Sequence, residues 1–395
     1  QVVLEYMQVD GLTDDDPGSL LIFCLPWEGE LTAVRTALPE PEAEAGSSWR
    51  VTPSSEQEDE DLSFDQWVTD QLVELYGKQR AASRQAGRAL YELLVAPVAD
   101  SIPAEAELII CPDRSLFLVP FEALVGPDDE YLLERHPLTY STSATMLRYV
   151  KDAGGAAGAL VAGVSFSGNE GGGTRSARDP LRAGLYGHRD FGPLPAVPME
   201  ARNVAALLGA EEPLLLVESQ ATEPALRESM PGCRVIHLAT HGFLSGVPLL
   251  NGVVLYQQEE QEEEQEEEDA ALDWGRDISG SDGFLRMSEV MGISLDGCEL
   301  VALSCCHTAE GEANPGAGVM GMTQGFLYAG ARSVLASLRG VHDDETRALM
   351  EQFYRNWQQE GLSKREALRQ AKLWMLGEKG VLPAKWAPFV LYGLE

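Results

Sequence analysis

Positive charge is scarce in this chain: 29 Lys and Arg stand against 63 Asp and Glu over 395 residues, a formal net charge of −34 at pH 7. That excludes a nucleic-acid-binding surface, because neutralising phosphates requires clustered Lys and Arg. Nine of the negative charges fall in QQEEQEEEQEEED, residues 257–269, so acidity also runs through the rest of the chain. Such a balance favours solubility and basic partners, and a highly saline habitat would produce it equally. Cysteine is sparse too. The six residues at 24, 111, 233, 298, 305 and 306 show neither disulfide-scaffold density nor C-x-x-C spacing. Four of them sit in or beside apolar runs, which predicts reduced, buried thiols and a reducing cytoplasmic setting. Long apolar runs are absent, so no membrane span is expected. The opening QVVLEYMQVDGL has no basic start, apolar stretch or small-residue cleavage site, so no secretory signal is expected either. Without an initial Met, the chain reads as a fragment of something longer.

With 44% apolar residues, the sequence can build a core for two domains or one large α/β unit. Short buried-strand runs recur at SLLIFCL (19–25), AELIICP (106–112), GALVAGVSF (158–166), PLLLVE (213–218), RVIHLA (234–239), ELVALSC (299–305), RSVLASL (332–338) and PFVLYG (388–393). Helix-period segments lie between several of them: a long one at 63–95, then 198–209, 321–330, 343–359 and 363–378. Continuous apolar strands alternating with helices predict a mostly parallel sheet covered on both faces. Ser363 with Glu366 makes a capping-box pattern, and Pro198 suits a first helical turn. The flexible KDAGGAAG (151–158) marks a boundary. It divides a companion part, 1–150, from a six-stranded part, 151–395, in which 257–283 is an acidic disordered insert.

Two stretches carry candidate chemistry, VIHLATHGF (235–243) and LSCCHTAEG (303–311). In open parallel sheets the reactive crevice lies beyond the carboxyl ends of the strands. His241 falls two residues past one apolar run, and Cys306 directly follows another. A zinc reading of His237 and His241 is disfavoured by the β-branched context and by the missing Glu of H-E-x-x-H. His237 reads as a packed strand residue. Alternation puts Cys305 inside the sheet and Cys306 at its rim. Cys306 is then a nucleophile whose own N–H, with that of Gly242, would stabilise an oxyanion, and His241 is the general base. No carboxylate stands near His241 in sequence to orient it.

Taken together, HLATHGF (237–243), LSCCHTAEGE (303–312), GVMGMTQGFLYAGARSVLASL (318–338), VHDDETRALMEQFY (341–354) and WAPFVLYG (386–393) resemble the CHAT family of caspase-like cysteine peptidases, relatives of separase. Further similar stretches lie at 108–125, 131–147, 194–210 and 221–226, so the resemblance covers most of 85–393. It implies a caspase-like fold: an α/β, mostly parallel six-stranded sheet flanked by helices, with an N-terminal companion α/β subdomain. It also implies a His241/Cys306 dyad with Gly242 in the oxyanion hole, no metal and no cofactor. Two positions depart from the family pattern: Cys305 replaces an alanine and Ala309 a glycine. Asp343 resembles a separase aspartate that receives a basic P1 side chain, and it equally fits an N-cap. His307 and Glu310 are candidate loop residues of the specificity pocket or solvated loop positions. Partners implied are a protein substrate and a regulatory partner or upstream tetratricopeptide repeats. The alternatives are a catalytically silent scaffold of the same fold, or a hydrolase or transferase acting on a small-molecule acyl group.

Overall fold

The computed structural model describes residues 1–9, 18–27, 30–38, 64–148, 154–166, 192–209, 212–243, 248–257, 282–307, 315–341 and 343–394, without side-chain detail at 248, 306, 307, 315–321 and 343. Among these residues lie thirteen strands: β1 (Val2–Val9), β2 (Ser19–Pro26), β3 (Thr32–Ala37), β4 (Leu108–Cys111), β5 (Leu138–Tyr140), β6 (Ala159–Gly163), β7 (Leu214–Val217), β8 (Val235–Phe243), β9 (Gly252–Val254), β10 (Phe284–Arg286), β11 (Leu300–His307), β12 (Ser333–Ser337) and β13 (Phe389–Gly393). All eight expected runs are strands. Of the five others, β5, β9 and β10 are only three residues long, β3 is half polar, and β1 is interrupted by Glu5 and Gln8.

Two compact units form, one from Gln1–Tyr149 with Ser363–Glu395 and the other from Val150–Leu362. The closing segment, expected with the second part, packs into the first. Its helix Lys364–Gly377 starts at Ser363, whose Oγ accepts the Glu366 N–H at 3.3 Å. Buried Lys372 on that helix reaches Glu122, and β13 pairs in parallel with β5.

In the first unit the strand order is β13-β5-β4-β1-β2-β3. The members from β13 to β1 are parallel, and β2 and β3 run antiparallel beside β1. β4, buried at every position, reads LIIC, whereas β1 alternates buried and partly exposed residues. The expected single helix over 63–95 is two helices, Phe64–Leu75 and Arg80–Leu94. The chain turns at Gly77, whose N–H donates to Glu74 at 2.9 Å, and Ser83 Oγ satisfies the freed Leu75 carbonyl at 2.6 Å. Gly87 lets the second helix lie close on the chain that follows: a Cβ there would stand 2.8 Å from the Ala123 carbonyl and 2.9 Å from Val125 Cγ2. Gly87→Ala is therefore expected to destabilise the protein by about 1–3 kcal/mol through overpacking, despite the better helix propensity of alanine. Denaturant titration checks this, and a neutral or stabilising result would refute the close approach.

The second unit orders its parallel strands β7-β6-β8-β11-β12. Every residue of β6, β8 and β12 is buried, as a parallel sheet covered on both faces demands. The helices Val197–Leu207 and Asp343–Tyr354 are tied by a 2.8 Å hydrogen bond from Asn203 to Glu351. Five of the six strands expected in the second part are here. β8 outruns its predicted apolar core because β9 pairs antiparallel with Gly242 and Phe243, carrying the sheet onward, and β10 pairs with β9. Strand order reverses between β6 and β8: the chain leaves β6 for β7 on one side, then returns to β6's other side as β8. A crevice outside the carboxyl ends at such a switch point is where open α/β sheets bind ligands. Among the described residues no helix is long and apolar enough to cross a membrane. The expected insert at 257–283 lies, but for its ends, outside them.

Candidate active site

β8 and β11 run side by side in parallel, and their register pairs Cys306 with His241 and His307 with Gly242. Neighbouring strands are about 4.8 Å apart, so the two expected reactive residues occupy adjacent backbone positions at the carboxyl edge of the sheet. Both sit inside their strands rather than beyond them, because β9 and the β8–β11 ladder extend the sheet past the apolar runs.

His241 is buried, with 3% of its surface exposed. Its Nε2 lies 2.6 Å from the Gly192 carbonyl oxygen. A carbonyl can only accept, so Nε2 carries a proton, and in the neutral ring Nδ1 is then the basic nitrogen. Burial pulls the His241 pKa below the ordinary 6.5, and the Gly192 hydrogen bond opposes that pull. The imidazole therefore stays neutral, and able to take a proton, at and somewhat below pH 6.5. Gly192 fills the orienting role for which the sequence offered no carboxylate. A backbone carbonyl carries no residue signature, which is why sequence reasoning could not find it. Phe166, just past β6, packs its ring 5.2 Å from the imidazole centroid. Its only trace in sequence is an apolar residue at a strand end. Behind the histidine, Thr240 Oγ1 donates to the Val254 carbonyl at 2.5 Å, and Phe243, Val254 and Phe284 form an apolar cluster.

The other candidates separate clearly. His237 is fully buried, with Nε2 3.1 Å from Glu200 Oε1 and Nδ1 3.2 Å from the Tyr354 hydroxyl, a packed histidine with both nitrogens engaged. Cys305 is buried, and its Sγ lies 3.5 Å from the Leu238 carbonyl. Asp343 is the first residue of the helix Asp343–Tyr354. His307 has a backbone position only, and Ala309 and Glu310 fall outside the described residues. The five cysteines with described side chains are free thiols. Among the described residues no group of three or more His, Cys, Asp or Glu is placed to hold a metal ion.

The fold is an α/β, mostly parallel sheet flanked by helices, with Cys306 and His241 in register on adjacent strands. The CHAT domain matches residues 84–394, and the chain belongs to the CHAT domain family. Tetratricopeptide repeat protein 28 of Homo sapiens is 26% identical over 364 residues, covering 80% of this chain and 13% of that protein. Its Mus musculus counterpart is 24% identical over 362 residues, covering 80% and 14%. The chain thus spans about one seventh or less of these relatives. Among solved structures, the Saccharomyces cerevisiae separase–securin complex covers 73% of this chain and 15% of its own at 13% identity and a TM-score of 0.44. The Arg-specific cysteine proteinase gingipain R, from Porphyromonas gingivalis, covers 80% and 67% at 9% identity and a TM-score of 0.43.

Proposed function

We propose that the chain is a cysteine endopeptidase whose catalytic residues lie in the second unit. The observation that carries this reading is the register pairing of Cys306 with His241 at the sheet's carboxyl edge. His241 Nδ1 takes the thiol proton, and the thiolate attacks the scissile carbonyl carbon. The resulting oxyanion is held by the N–H groups of Gly242 and Cys306. Collapse breaks the C–N bond, His241 returns the proton to the leaving amine, and water then hydrolyses the thioester. This chemistry uses no metal or cofactor. It does require a reduced thiol, in keeping with a cytoplasmic setting and the free cysteines elsewhere in the chain.

Thiol alkylation tests the assignment. Iodoacetamide at neutral pH is expected to modify Cys306 well before the five other cysteines, since a neighbouring imidazole favours the thiolate while buried thiols stay protonated. The comparison is sharp, because burial pushes the Cys24, Cys111 and Cys233 thiols up. Peptide mapping showing Cys305 or Cys233 labelled first would overturn it.

Asp343 is proposed as the carboxylate that receives a basic P1 side chain, by bidentate pairing with arginine or a single contact with lysine. Asp343→Ala is expected to lower cleavage after Arg about a hundredfold or more while leaving cleavage after uncharged residues within about threefold. A uniform loss across P1 residues, measured on a peptide library, would assign Asp343 to capping the helix instead.

The relatives are named for tetratricopeptide repeats, which supports control by such repeats on the same polypeptide or by a regulatory protein. Those names also favour the second reading, a catalytically silent interaction module. A module of that kind has no need of an acidic thiol, so labelling no faster than that of a free cysteine would favour it.

A further inference from the structure

A chain of hydrogen bonds at the switch point ends on His241. At the carboxyl end of β7, the Glu218 carboxylate accepts the Ser165 backbone N–H at 3.3 Å. The Ser165 carbonyl in turn accepts the Leu194 N–H at 2.7 Å. Two residues before Leu194, the Gly192 carbonyl holds His241 Nε2 at 2.6 Å. Phe166, next to Ser165, has φ 55°, a left-handed conformation that bulky side chains avoid, and its ring lies tilted by 49° against the imidazole. Glu218 itself has φ 49°. Two left-handed non-glycine residues, Glu218 and the chain neighbour of its hydrogen-bond partner Ser165, mark a place where surrounding structure over-determines the backbone.

The geometry points to Phe166 and Glu218 as positioning residues for His241: Glu218 fixes Ser165, which sets the Phe166 ring on the imidazole and anchors, through Leu194, the segment whose Gly192 carbonyl selects the Nδ1-basic tautomer. This rests on reading His241 as the general base. Phe166 covers the imidazole face from the β6 side, and Gly192 occupies the Nε2 edge. Burial is the leading cause of the lowered His241 pKa, and the Phe166 ring is part of that burial. Among the described residues, the titratable groups on the elements around it include Cys306, in register on β11, His237, four residues back on β8, and Glu218 after β7.

The test is NMR titration of ring-labelled histidines in the full chain, where His241→Gln assigns the signal among six histidines, run beside a pH–rate profile for a cleaved peptide. Phe166→Gly removes the ring and relieves the left-handed backbone, so the variant is expected to fold. Its His241 is expected to titrate closer to 6.5 than in the unaltered protein, moving the acid limb of kcat/KM upward. We expect kcat to fall about tenfold with KM within about twofold, because alignment of the base is lost rather than substrate binding. Glu218→Ala is expected to act in the same direction, and Glu218→Gln, which keeps a carbonyl acceptor for the Ser165 N–H, to restore the unaltered titration. A His241 titration unchanged in both folded Phe166→Gly and Glu218→Ala overturns the proposal. If the unaltered protein cleaves no peptide, the peptidase reading fails separately and the titration still decides the positioning role.

Discussion

Cys306→Ala is expected to lower kcat/KM for a cleaved peptide at least about a thousandfold, because the nucleophile and base act as a unit and removing either forfeits most of the gain. Cys306 is the penultimate residue of β11. Cys305→Ala is its control. That thiol is buried against Leu238, so its loss is expected to cost on the order of 1 kcal/mol of stability while cleavage stays within about threefold. A His241→Ala variant should match Cys306→Ala in severity, and the double variant should be hardly worse than either. Initial rates on one fluorogenic peptide, with thermal melts to confirm folding, decide the matter. Cleavage by Cys306→Ala at the unaltered rate would end the nucleophile assignment.

The largest expected effect on stability lies in the first unit. Lys372 and Glu122 are both almost fully buried, with Nζ 2.7 Å from Oε1. The second carboxylate oxygen of Glu122 accepts the Tyr140 hydroxyl at 2.5 Å, and that hydroxyl in turn accepts the Phe121 N–H at 2.9 Å. Burial pulls the Lys372 pKa down, and the Glu122 charge resists it. Burial, reinforced by Glu122, pushes the Tyr140 phenol well above its ordinary value, so it remains a donor. Lys372→Ala would strand a carboxylate in the core at an expected cost of about 3–5 kcal/mol, a fall in Tm on the order of 10 °C. Lys372→Met combined with Glu122→Gln is expected to recover most of that loss, because both charges go while the amide oxygen still accepts from Tyr140. A cost below about 1 kcal/mol for the single change would show that water reaches the pair.

Much of the architecture was legible because burial on both faces writes itself as unbroken apolar runs. RVIHLA, ELVALSC and RSVLASL announced the three strands β8, β11 and β12 without ambiguity. The strands that escaped notice take their stability from a neighbour: β9 is three residues, Gly252–Val254, and exists because Gly242 and Phe243 pair with it. The helix break at Gly77 was similarly hidden, since the apolar period continues across it while Ser83 closes the turn. Adjacency of His241 and Cys306 followed from two strand ends and a rule about crevices. The Gly192 carbonyl did not, because main-chain atoms are common to every residue and only the fold says which one arrives. The allegiance of Ser363–Glu395 was also beyond sequence pattern, because a buried Lys reads as a surface residue until its Glu122 partner is in view.

β8 is buried at all nine of its positions, and it carries His237 and His241 on the same alternation. Pairing along β11 can shift only by whole residues, and a single step would turn His237 away from Glu200 and Tyr354. The register of His241 against Cys306 is therefore a quantised setting, held in place by the packed His237. Changes to the core either leave that setting intact or destroy it. Gradual tuning of reactivity falls instead to the loops that approach the imidazole from outside the sheet.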